Sequence, residues 1–151
     1  MRIRGYRVGD VEAMFQLDIA CFTPPYQFDR EMMQEVAEAP NAIVVVISDE
    51  GDAMLGFVIV HIERKGRNRY AYIITIDVAP SARHEGIGAK LLQEAEVQVS
   101  AGGLHSIGLH VAVDNTSAIA FYQRQGYQQI ATEENFYREA ATDAFVYVKP
   151  L

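Results

Sequence analysis

The chain has 151 residues, half of them hydrophobic, which is enough for one domain with its own core and argues against a disordered chain. Thirteen Lys and Arg stand against twenty Asp and Glu, a formal net charge of −7, which argues against a nucleic-acid or anionic-membrane surface and suits a cationic partner. The longest apolar runs, 42–47 and 57–60, are too short to span a bilayer, "MRIRGYRVGD" lacks the apolar centre of a signal peptide, and the single cysteine, Cys21, cannot close an internal disulfide, so a cytoplasmic location is expected.

In chain order, 3–7 reads as a short strand. Asp10 is placed to cap a helix reaching about Ala20, with Val11, Met14, Phe15, Leu17 and Ile19 on its apolar side. After "CFTPPYQF", Asp29 is placed to cap a second helix ending near Pro40. The β-branched "NAIVVVIS" is a strand, Glu50-Gly51-Asp52 a turn, and 54–65 and 69–78 are two further strands joined at "GRN". A glycine-containing stretch then opens a helix whose Ile87, Leu91, Leu92, Ala95 and Val99 share one face, and Gly102-Gly103 ends it. A strand over 106–113 follows, then a short helix capped by Asp114 or Asn115 and closed at Gly126, then strands near 127–131 and 144–149. No cysteine and histidine fall at metal-ligand spacing, and no metal is expected. This alternation predicts an α/β (α+β) domain around a mixed sheet.

The stretch "ARHEGIGAKLL", residues 82–92, places Gly86 and Gly88 directly ahead of a helix, where glycine costs roughly 1 kcal/mol relative to alanine. Unpaired N–H groups at the positive end of a helix attract anions, and bare backbone lets a phosphate approach them. Arg83 and Lys90 add charge. The pattern is no dinucleotide fingerprint, because Leu91 stands where a third glycine is required, and it lacks the G-K-[ST] of a P-loop.

Arg83-x-x-Gly86-x-Gly88, following "VAP" at 78–80, resembles the pyrophosphate-cradling motif [QR]-x-x-G-x-[GA] of the GCN5-related N-acetyltransferase (GNAT) superfamily, with Glu85 as an added negative charge. "LHVAVDNTSAIAFYQRQGY" resembles that superfamily's closing strand and helix, N-x-x-A-x-x-[FL]-Y-x-x-x-G-[FY], on Asn115, Ala118, Phe121, Tyr122, Gly126 and Tyr127. The resemblance spans nearly the whole chain. It implies a single GNAT domain over 1–151, with a mixed, mostly antiparallel sheet of six to seven strands and about four helices. It also implies acetyl-CoA as cosubstrate, held by Ile76, Val78, Arg83, His84, Glu85, Gly86, Ile87, Gly88, Ala89, Asn115 and Tyr122, with Tyr122 protonating the leaving thiolate.

Within the superfamily the chain is most similar to protein N-terminal acetyltransferases. RimI-like enzymes carry a glutamate in L-E-V-R, where this chain has Leu109-His110-Val111-Ala112; NatE-like catalytic subunits carry L-H-V together with Y-I-x-T, matched here by His110 and by "YIIT" at 72–75. The resemblance therefore implies Tyr72 and His110 as a catalytic pair. An imidazole near pKa 6.5 suits an α-amine near 7.7–8.0 better than a lysine near 10.4. Neutral His110 is expected to take the acceptor's proton, and Tyr72 to orient the amine or a bridging water. "CFTPPYQF" and "ENFYRE" resemble the two loops that receive the acceptor, which implies Phe22, Tyr26, Phe136 and Tyr137 as acceptor-binding residues.

The leading expectation is acetyl transfer to a protein N-terminal α-amine. A small-molecule amine such as a polyamine or amino-sugar is the alternative acceptor, and a non-catalytic acyl-CoA-binding module the alternative class. Neither nucleic acid nor membrane is expected as a partner, and a homodimer is left open.

Overall fold

The computed structural model describes residues 1–151 as one seven-stranded sheet with two helices packed on each face. The elements run β1 (Arg2–Gly5), α1 (Val11–Cys21), α2 (Arg30–Glu38), β2 (Ala42–Ser48), β3 (Met54–Lys65), β4 (Asn68–Val78), α3 (Ile87–Ala101), β5 (Ser106–Ala112), α4 (Thr116–Arg124), β6 (Gln128–Tyr137) and β7 (Thr142–Pro150). The sheet order is β1-β2-β3-β4-β5-β7-β6, antiparallel throughout except for β4 and β5. No helix is long and apolar enough to cross a membrane.

One face of the sheet takes α3 and α4. Ile87, Leu91, Leu92, Ala95 and Val99, the predicted stripe of α3, are all buried against Val58, Val60, Ile73 and Ile107. Full burial of each large aliphatic side chain contributes about 1.5–3 kcal/mol, so this stripe anchors the helix whose first turn carries the glycines. The opposite face takes α1 and α2 through Met14, Leu17, Met33 and Ala37, packed on Val44, Val46, Phe57 and Ile59.

Several expectations are corrected. The first strand lies one residue earlier and stops at Gly5. Asp10 does not cap α1; its carboxylate accepts from both ends of the Arg4 guanidinium, at 2.8 and 2.9 Å, and from Arg7 N. On α1, Ile19 is exposed and Asp18 is buried instead. Asp29 does cap α2, accepting from Met32 N at 2.7 Å, and Asn115 rather than Asp114 caps α4, accepting from Ala118 N. The segment "ENFYRE" is mostly not a loop. β6 continues through it to Tyr137, with a register break after Glu133 and a left-handed Asn135 that absorb the irregularity.

β4 carries the feature that opens the site. Its pairing with β3 skips a residue, Ile59 opposing Thr75 and Val60 opposing Ile73, which leaves Ile74 as a bulge. A bulge bends and overtwists its strand. Accordingly β4 pairs with β5 at just two positions, Ala71 with Ile107 and Tyr72 with Gly108, after which β5 follows β7 and β4 follows β3.

Candidate active site

The V-shaped gap between β4 and β5 begins at Tyr72. Alternation puts His110, two residues beyond Tyr72's partner Gly108, on the same sheet face, within diagonal reach. The two side chains meet there: Tyr72 Oη and His110 Nδ1 are 2.7 Å apart. His110 Nε2 lies 3.2 Å from Glu133 Oε1, which reaches over β7 from β6. That contact has charge-pair distance but not hydrogen-bond direction, so Nε2 is buried without a directed partner. The Phe136 ring stacks flat on the imidazole, centroids 4.0 Å apart and planes 3° from parallel. Burial pushes the Tyr72 phenol well above its ordinary value, with Tyr137 and Glu133 adding to the effect.

Along β4 beyond the split, the backbone faces the gap. Ala79 N donates to Leu55 O on the β3 side, so alternation turns the groups of Asp77 toward β3 and those of Ile76 and Val78 toward the space β5 has left. Val78 O accepts from Cys21 Sγ at 3.3 Å and from Arg83 Nε at 3.4 Å. Tyr122, on α4, is buried near the same gap. Burial first, then the charges of Asp77, Tyr137 and Tyr72, raise its phenol far above the usual value.

The two glycines do different things. Gly86, the residue before α3, has φ +79 and open space around it, a conformation that L side chains rarely adopt. Gly88 has an ordinary helical position, but a Cβ there would lie 3.0 Å from Phe121 Cζ on α4. Its bareness thus serves helix packing inside the protein. Arg83, His84, Glu85 and Gly86 are exposed, whereas the Ile87 side chain belongs to the core and has only backbone to offer an anion. Asn115 spends its carbonyl oxygen on the α4 cap.

Of the four aromatics expected to bind the acceptor, the structure brings three together. Tyr26 and Tyr137 meet edge to face at 5.2 Å, Tyr137 meets Phe136 at 4.9 Å, and the Tyr26 hydroxyl donates to Thr142 Oγ1 at 3.2 Å. The α1–α2 loop is thereby joined to the β6–β7 hairpin directly over His110. Phe22 is half-buried on the same loop and takes part in none of these ring pairs. The groove lined by Tyr6, Val8, Glu38 and Val44 holds none of these groups.

Residues 11–127 match the acetyltransferase (GNAT) family. The chain belongs to that family. It is similar to N-alpha-acetyltransferase 50 of Danio rerio, 33% identical over 84% of this chain and 76% of that protein. Similarity to the N-alpha-acetyltransferase RimI of Mycobacterium tuberculosis is also 33%, over 81% of this chain and 72% of that one. In fold it superposes on the ribosomal-protein-S18-alanine N-acetyltransferase of Escherichia coli with a TM-score of 0.85 and 19% identity, covering 99% of this chain and 92% of the other. The expected GNAT domain and its seven-stranded mixed sheet are therefore present, and the chain is an acetyltransferase.

Two buried acids of this GNAT domain escaped sequence reasoning. Asp18 and Asp77 are both essentially inaccessible, although each interrupts an apolar run, "LDIA" and "TIDV", which is the one sequence signal that marked them. Thr142 carries no such mark; its role follows from where the β6–β7 hairpin closes.

Proposed function

We propose that this acetyltransferase moves the acetyl group of acetyl-CoA to the N-terminal α-amine of a protein or peptide, by direct attack of the amine on the thioester. The observation that carries this reading is the Tyr72–His110 pair, bonded at 2.7 Å at the point where β4 and β5 part. A cofactor threaded through the gap from the α3 side brings its thioester to that pair. The N-terminus of α3 and the bare backbone at Gly86 are suited to the pyrophosphate, with Arg83 adding positive charge and Glu85 turned to solvent. The pantetheine arm would hydrogen-bond to Ile76 and Val78 as an added strand, and the Val78 N–H would face the carbonyl oxygen where negative charge develops.

His110 and Tyr72 remove a proton from the acceptor ammonium, which must be neutral to attack. An α-amine, with a pKa near 7.7–8.0, is within reach of an imidazole, whereas a lysine amine is roughly 2.5 units harder. Tyr122 faces the sulfur. Its raised pKa makes full proton transfer to a thiolate less favourable and keeps the phenol protonated, so its part is chiefly to donate a hydrogen bond that stabilises the departing sulfur. The names of the two 33%-identical relatives, both N-alpha-acetyltransferases, support the acceptor class.

The test is a mass-spectrometric screen of a peptide library with acetyl-CoA, run beside a panel of polyamines and amino-sugars. Acetylation at peptide α-amines is expected. Product confined to lysine side chains or to the small amines overturns the acceptor assignment.

A further inference from the structure

We propose that Glu133 is a positioning residue that holds His110 in its Nε2–H tautomer, so that the acceptor's proton reaches His110 by way of the Tyr72 hydroxyl. This rests on the Tyr72–His110 reading above and assigns a route within it.

Neither nitrogen of His110 is open to an incoming amine. Nδ1 is taken by Tyr72 at 2.7 Å. Nε2 is buried, without a directed bond, and the ring face is covered by Phe136. A buried ring nitrogen left unsatisfied is costly, so its protonation state is set by whichever group can reach it. The neighbours are Tyr72 on β4, Glu133, Phe136 and Tyr137 on β6, and Val146 across the ladder on β7. Of these, only Glu133 carries charge near neutrality, and its carboxylate is 3.2 Å from Nε2. Its side chain is half exposed, so a small rotation aligns it. A carboxylate only accepts. Facing Nε2, it selects the tautomer with hydrogen on Nε2, which makes Nδ1 an acceptor and the Tyr72 O–H its donor.

The proton route follows. The ammonium gives a proton to Tyr72 Oη while the phenol's own proton passes to His110 Nδ1. One proton has moved, the phenol is neutral before and after, and no electrons are gained or lost. The amine lone pair so freed attacks the thioester carbonyl. The imidazolium left behind has both N–H groups bonded, one to Tyr72 and one to Glu133, whose charge offsets it. The division of labour is that of a Ser-His-Asp triad, with a phenol in place of the serine. Burial, which makes a free phenolate costly, favours such concerted passage over stepwise ionisation of Tyr72.

Two measurements on the full chain decide this. Long-range proton–nitrogen NMR without acceptor reads the tautomer, and the split between kcat and KM reads the route. Wild type should show Nε2–H at His110. Glu133→Gln, whose amide can face Nε2 with its oxygen or its NH2, should admit the Nδ1–H tautomer, with kcat down about tenfold and KM little changed, since a general base as a whole is worth about 10²–10⁴. Glu133→Asp should fall between the two. Tyr72→Phe should lower kcat at least as far as Glu133→Gln while His110 keeps its Nε2–H tautomer. An Nδ1–H tautomer in wild type, an unchanged tautomer in Glu133→Gln, or full turnover in Tyr72→Phe overturns the proposal. Failure of wild type to acetylate any peptide overturns the acceptor assignment instead, and the NMR measurements still decide the tautomer.

Discussion

Asp18 of α1 and Asp77 of β4 are both buried and near enough that the Asp18 charge acts on the Asp77 carboxyl, and each keeps one carboxyl oxygen without a hydrogen-bond partner. Their remaining oxygens are used: Asp18 Oδ2 accepts from Phe28 N at 2.8 Å, and Asp77 Oδ1 accepts from Thr75 Oγ1 at 2.6 Å. A single proton held between them would satisfy both. Burial, reinforced by Asp18, holds the Asp77 carboxyl well above the usual carboxylate range. The sign is then fixed: the folded state binds this proton more tightly than the unfolded chain, so the stability it supplies is lost as pH rises through the folded pKa.

Asp77→Asn should remove that dependence, because the amide donates to Asp18 at every pH and still accepts from Thr75. Urea unfolding at a series of pH values is the measurement. Wild type should lose stability between the ordinary carboxylate pKa and the raised folded one, by up to about 1.4 kcal/mol per pH unit, and the variant should be flatter. Asp77→Ala, which leaves Asp18 alone, should cost about 1–3 kcal/mol or more throughout. Parallel pH profiles for wild type and Asp77→Asn would show that the pair shares no proton.

Gly86 and Gly88 should part company under substitution. Gly86→Ala places a side chain at φ +79, costing about 1–2 kcal/mol of strain, but it strikes nothing. Gly88→Val drives a branched side chain at Phe121, and overpacking of this kind costs about 1–3 kcal/mol. At this size each kcal/mol lowers Tm by about 2–4 °C. Phe121→Leu in the Gly88→Val background should recover part of the loss, whereas it should recover none in Gly86→Ala. Equal recovery in both backgrounds would remove Phe121 as the reason for the second glycine.

The parts of the fold that were legible are those in which one local signal decides the outcome. The α3 stripe at 87, 91, 92, 95 and 99 is a helical period with no competing reading, and Asp29 lies directly ahead of the periodic stretch that it caps. Asp10 looked identical at its own helix, but Arg4, six residues earlier, claims its carboxylate through two bonds. The site shows the same division. Tyr72 and His110 were legible as a resemblance, and the splay that exposes them depends on a bulge at Ile74 that no residue type in "YIITIDV" announces. The extension of β6 through 133–137 was missed because Asn135 and the charged residues around it read as a loop, while pairing with β7 overrides that preference. Glu133 gained its position only through that extension.

Tyr122→Phe keeps the ring against Phe121 and Tyr127 and removes the hydroxyl alone. With acetyl-CoA and a peptide acceptor, kcat should fall on the order of 10²-fold, and acetyl-CoA affinity by calorimetry should hardly change. Because the phenol is held protonated far above neutrality, wild type should show no alkaline loss of activity attributable to Tyr122 below pH 10. Full turnover in the variant would leave this residue a role in packing alone.

Substitutions in the aromatic cluster over His110 should separate binding from chemistry. Tyr26 ties the α1–α2 loop to the hairpin through Thr142, and Tyr137, its phenol pushed up to about 12 by burial and by Tyr26, stays neutral over the working pH range. A peptide backbone laid between them would meet uncharged hydroxyls and ring edges. Tyr26→Phe breaks the link to Thr142 without removing a ring, so KM for peptide should rise by a factor of about 5, one neutral hydrogen bond, with kcat little altered. Phe136→Ala is different in kind. It strips the cover from the imidazole at a 4.0 Å stack, admits water to the proton path and frees His110 to turn away from Tyr72, so kcat should fall. If both variants change KM alone, Phe136 contacts the acceptor but does not guard the pair. A fall in kcat for Tyr26→Phe as large as that for Phe136→Ala would mean that closing the hairpin, rather than covering the ring, is what the chemistry needs.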